Sequence, residues 1–247
     1  MDTLLNLGMK KRYNVEYSHM NCDLALKPYS LLNYLQDIAS ENAEQLGFGY
    51  SYISKKNLAW FLIKYRMEFS EYPVGVYDLT ISTKPRGYNK LFAYREFELS
   101  DSQKVFAKIF SMWTVVDLDK RTPVLVNCAI DNPNMSQYQK QENDLSFSKI
   151  RPLSNIDNQK EFQVRYNDLD VNGHANNGNY VIWAFETLNR EFLNNHKIKT
   201  LDMMFKKEAK YDEVVISQVE FIEDNKTLHR IINKDNEDLC ILECEWK

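Results

Sequence analysis

With 247 residues, 44% apolar and 27% charged, the chain has the balance of an ordinary globular protein and enough length to bury a substantial core. A formal net charge of −4 and the lack of a basic stripe argue against nucleic acid as a partner. No run approaches the roughly 20 apolar residues of a membrane span, and in MDTLLNLGMKKRY the basic residues follow the apolar ones, the reverse of a secretory signal.

A cytoplasmic chain is therefore expected. Cys22, Cys128, Cys240 and Cys244 form no CxxC pair and no zinc spacing, and read as free thiols. The sequons at Asn134 and Asn225 then read as chance matches.

In chain order, Tyr13, Val15 and Tyr17 alternate with polar residues as a short strand. Ser30 reads as the cap of a helix whose apolar residues Leu31, Leu32, Leu35, Ile38, Ala39, Ala43 and Leu46 recur every three or four positions, with Gly47 as its stop. Strand-rich segments at 58–69, 77–83, 91–99 and 105–116 follow, divided by turn signals at Pro73-Val74-Gly75, Arg86-Gly87 and Asp101-Ser102. Residues 127–160 are polar, contain Pro133 and Pro152, and read as a linker with some helix.

The order then repeats. Phe162, Val164 and Tyr166 alternate, a helix is expected over 177–193, and strands over 201–209, 214–221, 228–233 and 239–246. Tyr13 maps to Phe162 at an offset of 149 and Glu68 to Glu208 at 140, so the duplication rests on element order. The expected fold is α+β: two tandem hotdog units, β-α-β-β-β-β each, with an antiparallel sheet wrapped around a long helix. The expected division is a first unit over 1–126, the linker over 127–160 and a second unit over 161–247. An apolar seam between helix and sheet would suit an extended chain.

Chemistry concentrates at the junction of the second unit's first strand and helix, in Asp168-Leu-Asp170-Val-Asn172-Gly-His174-Ala-Asn176-Asn177. If this backbone is extended, Asp170, Asn172 and His174 project to one side. A carboxylate, an amide and an imidazole beside a helix N-terminus suit thioester hydrolysis. Backbone N–H groups stabilise the oxyanion, and a carboxylate activates water or attacks directly. Asp168, Asn176 and Asn177 read instead as turn and cap residues. The spacing Asp168-x-Asp170-x-Asn172-Gly173 also matches half of a calcium loop, but Asn179 stands where that loop needs a bidentate Glu. No metal or cofactor is expected.

This loop, continued by Tyr180 and Trp183, resembles the signature of the plant and bacterial acyl–acyl carrier protein thioesterases. Lys55-Lys56-Asn57-Leu58-Ala59-Trp60, Asn33-Tyr-Leu-Gln36 and Phe205-Lys206-Lys207-Glu208 are similar to further segments of that family. The resemblance implies two tandem hotdog units and catalytic roles for Asp170, Asn172, His174 and Glu208. It implies hydrolysis of fatty acyl thioesters on acyl carrier protein, presented through phosphopantetheine, and leaves open whether Asp170 is a nucleophile or a carboxylate is a general base. Plant members often carry Cys after that Glu, whereas this chain has Ala209, which removes a cysteine nucleophile there. Aligning Asp23 with Asp170 sets Ala25 opposite Asn172 and Lys27 opposite His174, so one active site is expected, with the first unit serving the acyl chain. An acyl-CoA thioesterase and a non-catalytic acyl-binding protein are the alternatives, and a homodimer is compatible with the sequence.

Overall fold

The computed structural model of the chain describes residues 7–247. The first six residues of the N-terminal run weighed above lie outside the described part. β1 (Met9–Asn14) leads through a 3-10 turn (Tyr17–His19) to α1 (Pro28–Gln45) and the short α2 (Tyr50–Ile53). β2 (Leu58–Phe69), β3 (Asp78–Asn89), β4 (Phe92–Ser100), β5 (Val105–Asp117) and β6 (Thr122–Val124) follow, then the single turn α3 (Val126–Ala129). The second half has β7 (Asn158–Gln163), a 3-10 turn (Tyr166–Asp168), α4 (Asn177–Phe185), α5 (Arg190–Asn195), β8 (Ile198–Phe205), β9 (Val214–Glu223), β10 (Lys226–Ile232) and β11 (Asp238–Trp246).

All the pairings between these strands are antiparallel. They form one sheet in the order β1-β3-β4-β5-β2-β8-β11-β10-β9-β7, with β6 on β5. Read inward from either edge, the two halves have the same order, and they meet where β2 pairs β8, from Lys64↔Met204 to Glu68↔Thr200. Arg66 crosses this seam to the buried carboxylate of Asp202. α1 and α4 pack on each other and on the sheet. Their apolar stripes, Leu31, Leu35 and Ile38 from α1 and Tyr180, Val181 and Ala184 from α4, join one core with sheet residues such as Tyr65, Leu79, Ile81, Val219 and Ile231.

Several local expectations change. α1 begins at Pro28, whose fixed φ suits the first helical position, and Ser30 is buried inside the first turn instead of capping it. Tyr17 and Tyr166 leave their strands for the exposed 3-10 turns. Arg86-Gly87 is no turn: β3 runs through it with a bulge, and the reversal falls at Lys90, which has φ +51°. A Cβ on Gly87 would lie 2.6 Å from the Ser136 carbonyl oxygen, so the glycine admits the chain that crosses β3. The single helix expected over 177–193 breaks in two. Thr187 Oγ1 bonds back to the Ala184 carbonyl (2.6 Å), and Asn189 caps α5 by accepting the Phe192 N–H (2.7 Å). β8 ends at Phe205, four residues before the expected 209.

Past α3 the chain carries no regular element until β7, apart from an isolated bridge between Gln137 and Tyr88. It is nonetheless pinned. Asn132 and Asn134 side chains donate to the Leu46 carbonyl at the end of α1 (both 3.1 Å). Arg86 binds Asp144, and Arg151 binds Glu220.

Candidate active site

The backbone from Asp170 to His174 is a tight turn, not the extended run expected. Asp170 N–H donates to the His174 carbonyl (2.7 Å), Gly173 N–H donates to the Asp170 carbonyl (3.1 Å), and Leu169 bridges Ala175. Gly173 has φ +79°, the left-handed conformation such a turn needs. The turn is held by its own carboxylate: Asp170 Oδ1 accepts the N–H of Asn172 (2.8 Å) and of His174 (3.2 Å). Asn172 Nδ2 lies 3.4 Å from Asp170 Oδ2. Thus Asp170, Asn172 and His174 do come together, through an Asx-type turn instead of strand alternation. Val171 projects from its tip, 98% exposed.

Two anchors fix this turn. Asp168 is buried, accepts the Arg165 N–H (2.8 Å) and pairs with the Arg165 guanidinium. Its backbone carbonyl takes Asn176 N–H (2.8 Å) and Asn179 Nδ2 (2.7 Å). Asn176 then caps α4 by accepting the Gly178 N–H (2.8 Å), as expected for that position.

Glu208 does not lie on a strand as expected, because the chain has already left β8. It sits in the segment after it, clamped by Ala175 N–H to the Ala209 carbonyl (2.9 Å) and by a bridge between His174 and Lys210. The buried Tyr180 hydroxyl accepts the Ala209 N–H (2.9 Å) and faces the Lys207 carbonyl (3.4 Å), so α4 grips both sides of Glu208. These clamps deliver Glu208 Oε2 to 3.3 Å from His174 Nε2. His174 Nδ1 is buried and has no hydrogen-bond partner among the described residues. Burial holds the Glu208 carboxyl above the usual carboxylate range. His174 and Arg121 oppose that rise, the Asp170 charge adds to it, and Lys210 opposes it.

Arg121 is the residue that sequence reasoning missed. It lies in the β5–β6 turn of the first half, yet its Nη1 is 3.8 Å from Glu208 Oε2. Nothing around residue 121 marks it, since the contact joins positions far apart in the chain.

The first half carries a copy of the turn in other side chains. Asn21 Oδ1 accepts the N–H of Asp23 (3.0 Å) and of Ala25 (2.9 Å), Asn21 N–H donates to the Ala25 carbonyl, Met20 bridges Leu26, and Leu24 has φ +58°. Asn21 therefore stands opposite Asp170, Asp23 opposite Asn172 and Ala25 opposite His174, two residues away from the alignment of Asp23 with Asp170. Leu26 N–H binds the Pro73 carbonyl as Ala175 N–H binds that of Ala209. Tyr72, not Glu68, is thus the counterpart of Glu208, and its hydroxyl closes the turn on the Leu26 carbonyl (2.7 Å).

Comparison with known proteins bears on what this arrangement does. The acyl-ACP thioesterase N-terminal domain matches residues 6–132 and the C-terminal domain of the same family matches 153–247. The oleoyl-acyl carrier protein thioesterase of Coriandrum sativum is 24% identical over 85% of this chain and 62% of its own length. The chain thus spans less than two thirds of that curated relative. An acyl-ACP thioesterase structure from Bacteroides thetaiotaomicron superposes with TM-score 0.88 at 20% identity, over 98% of both chains. The 12:0-ACP thioesterase of Umbellularia californica gives 0.80 at 20% identity, over 99% of this chain and 98% of its own. At such identity these likenesses show the fold.

Proposed function

The chain belongs to the acyl-ACP thioesterase family, and from that footing we propose that it hydrolyses the thioester of a fatty acyl group carried on the phosphopantetheine of acyl carrier protein, releasing the free acid. The observation that carries this reading to particular atoms is the 3.3 Å approach of His174 Nε2 to Glu208 Oε2 beside the Asp170 turn. In this reading Glu208 is the general base. A carboxyl held above the usual range is a stronger base than an ordinary one. His174 N–H orients one Glu208 oxygen, and the carboxylate takes a proton from the water that attacks the thioester carbonyl.

Asn172 supports the developing oxyanion through its amide N–H, since its contact to Asp170 is long. The thiolate leaves readily, because its parent thiol has a pKa of about 8.5. Asp170 Oδ1 already accepts two backbone N–H groups, which favours an anchoring role for Asp170 over nucleophilic attack. The acyl chain is assigned to the first half, where a small apolar cavity lies between α1 and β2–β5, lined by Ala39, Ala43, Phe48, Trp60, Trp113 and Met135. Residues 1–126 and 161–247 are the proposed units, and the four free cysteines agree with a reducing cytoplasm.

The test is thiol release from one acyl chain presented on acyl carrier protein and on coenzyme A. Glu208→Gln should lose about 10²–10⁴-fold in kcat, the range of general base catalysis, with unchanged melting. Turnover on coenzyme A alone would move the substrate assignment, and an active Glu208→Gln would end the assignment of the base.

A further inference from the structure

Glu208 belongs to the second half, but the guanidinium that reaches its Oε2, that of Arg121, comes from the first. We propose that Arg121 is a positioning residue of this site, contributed across the two halves, whose guanidinium holds the Glu208 carboxylate against His174 and keeps it ionised. This deepens the thioesterase reading and rests on it.

Three observations carry the proposal. First, the β5–β6 turn is built to present this side chain. Asp117 Oδ1 accepts the N–H groups of Asp119 (3.1 Å) and Lys120 (2.9 Å), and Arg121 N–H closes on the Asp117 carbonyl (2.8 Å). Arg121 itself has φ +56°, a left-handed conformation that glycine would adopt at less cost. Second, the pair adds little to the fold. The Arg121 side chain is 61% exposed and Glu208 32%, and ion pairs that open to water contribute little to stability. What the guanidinium can alter at 3.8 Å is the charge state and direction of Glu208. Third, the groups facing Glu208 pull its charge state in opposite directions, and Arg121 is one of those on the carboxylate side. His174 and Asp170 reach it from the turn, the Tyr180 hydroxyl from α4, and Lys210 from its own segment. Burial and Asp170 favour the neutral carboxyl, whereas His174, Arg121 and Lys210 favour the carboxylate.

The first-half turn has no such arrangement to maintain, since Tyr72 stands where Glu208 would be. The nearest cation from the other half there, Lys197, lies 3.7 Å from Asp23 instead.

The experiment compares pH profiles of kcat/KM for the wild type, Arg121→Gln and Arg121→Lys, on acyl carrier protein and on a carrier-free acyl N-acetylcysteamine thioester. In Arg121→Gln the acid limb should move up by roughly half a unit to one unit, the effect of one charge at about 4 Å in a hydrated site. On that limb activity should fall several-fold on both substrates and recover at higher pH. Arg121→Lys should keep the wild-type limb, and melting temperatures should not differ. An unmoved acid limb overturns the proposal, as does a loss confined to the carrier-bound substrate, which would make Arg121 a docking contact. The imidazole resonances of His174, followed by NMR through the same pH range, report the ionisation of Glu208 without turnover. Their midpoint should shift with Arg121→Gln even if the substrate is something other than an acyl thioester, and its failure to shift overturns the proposal on its own.

Discussion

At the scale of single residues, the duplicated turn supplies a control for its own chemistry. Asn21 holds the first-half turn through two backbone N–H groups with an amide oxygen, the contacts that Asp170 makes with a carboxylate oxygen. Asp170→Asn should therefore fold normally, and whatever it loses is due to charge. The Asp170 charge raises the Glu208 pKa, so removing it should lower the acid limb of kcat/KM, opposite in sign to Arg121→Gln. Melting curves and pH–rate profiles check this. A variant that folds but turns over at no pH would restore Asp170 as nucleophile. Under the proposed mechanism Glu208 acts as base only when unprotonated, so activity should fall as pH falls through its raised pKa.

At the scale of elements, what could be read from the sequence divides by range. Hydrophobic periodicity located α1 and the long strands because burial of one face is a local pattern: β2 spans the expected residues 58–69. Turn chemistry was harder. Gly87 looks like a reversal but serves a close crossing by residues 136–138, which only the folded chain reveals. The site loop was legible in its residue types and not in its geometry, since an Asx-type turn and an extended strand can share one residue spacing. The Arg121 contact left no local trace. A similar long-range fit governs the meeting of the two helices. Asn177 Nδ2 donates to Gln36 Oε1 (3.1 Å), and a Cβ on Gly178 would lie 2.7 Å from the Tyr29 ring. Gly178→Ala should thus cost about 1–3 kcal/mol by overpacking in spite of alanine's better helix propensity, read as a lowered denaturation midpoint. An unchanged or raised midpoint would mean that Tyr29 yields freely.

At the scale of the whole molecule, the two halves are joined covalently by the chain between them and non-covalently by the α1–α4 packing and the β2–β8 ladder with its Arg66–Asp202 pair. The second joint does not depend on the first. Lys149 lies exposed in the irregular stretch that neither family domain covers. A cut there severs the backbone but leaves the ladder, the shared core and the Arg121–Glu208 contact in place. Tryptic nicking at Lys149 should yield two fragments that migrate together on size exclusion and keep the proposed thioester hydrolysis at the level of the intact chain, separating only in denaturant. If nicked protein falls apart or dies in native buffer, the strap is holding the halves and the ladder is not. If it survives, the gene can be divided at this point into two messages whose products reassemble into one folded molecule, a split reporter whose signal requires both pieces because neither half has a complete core without the other.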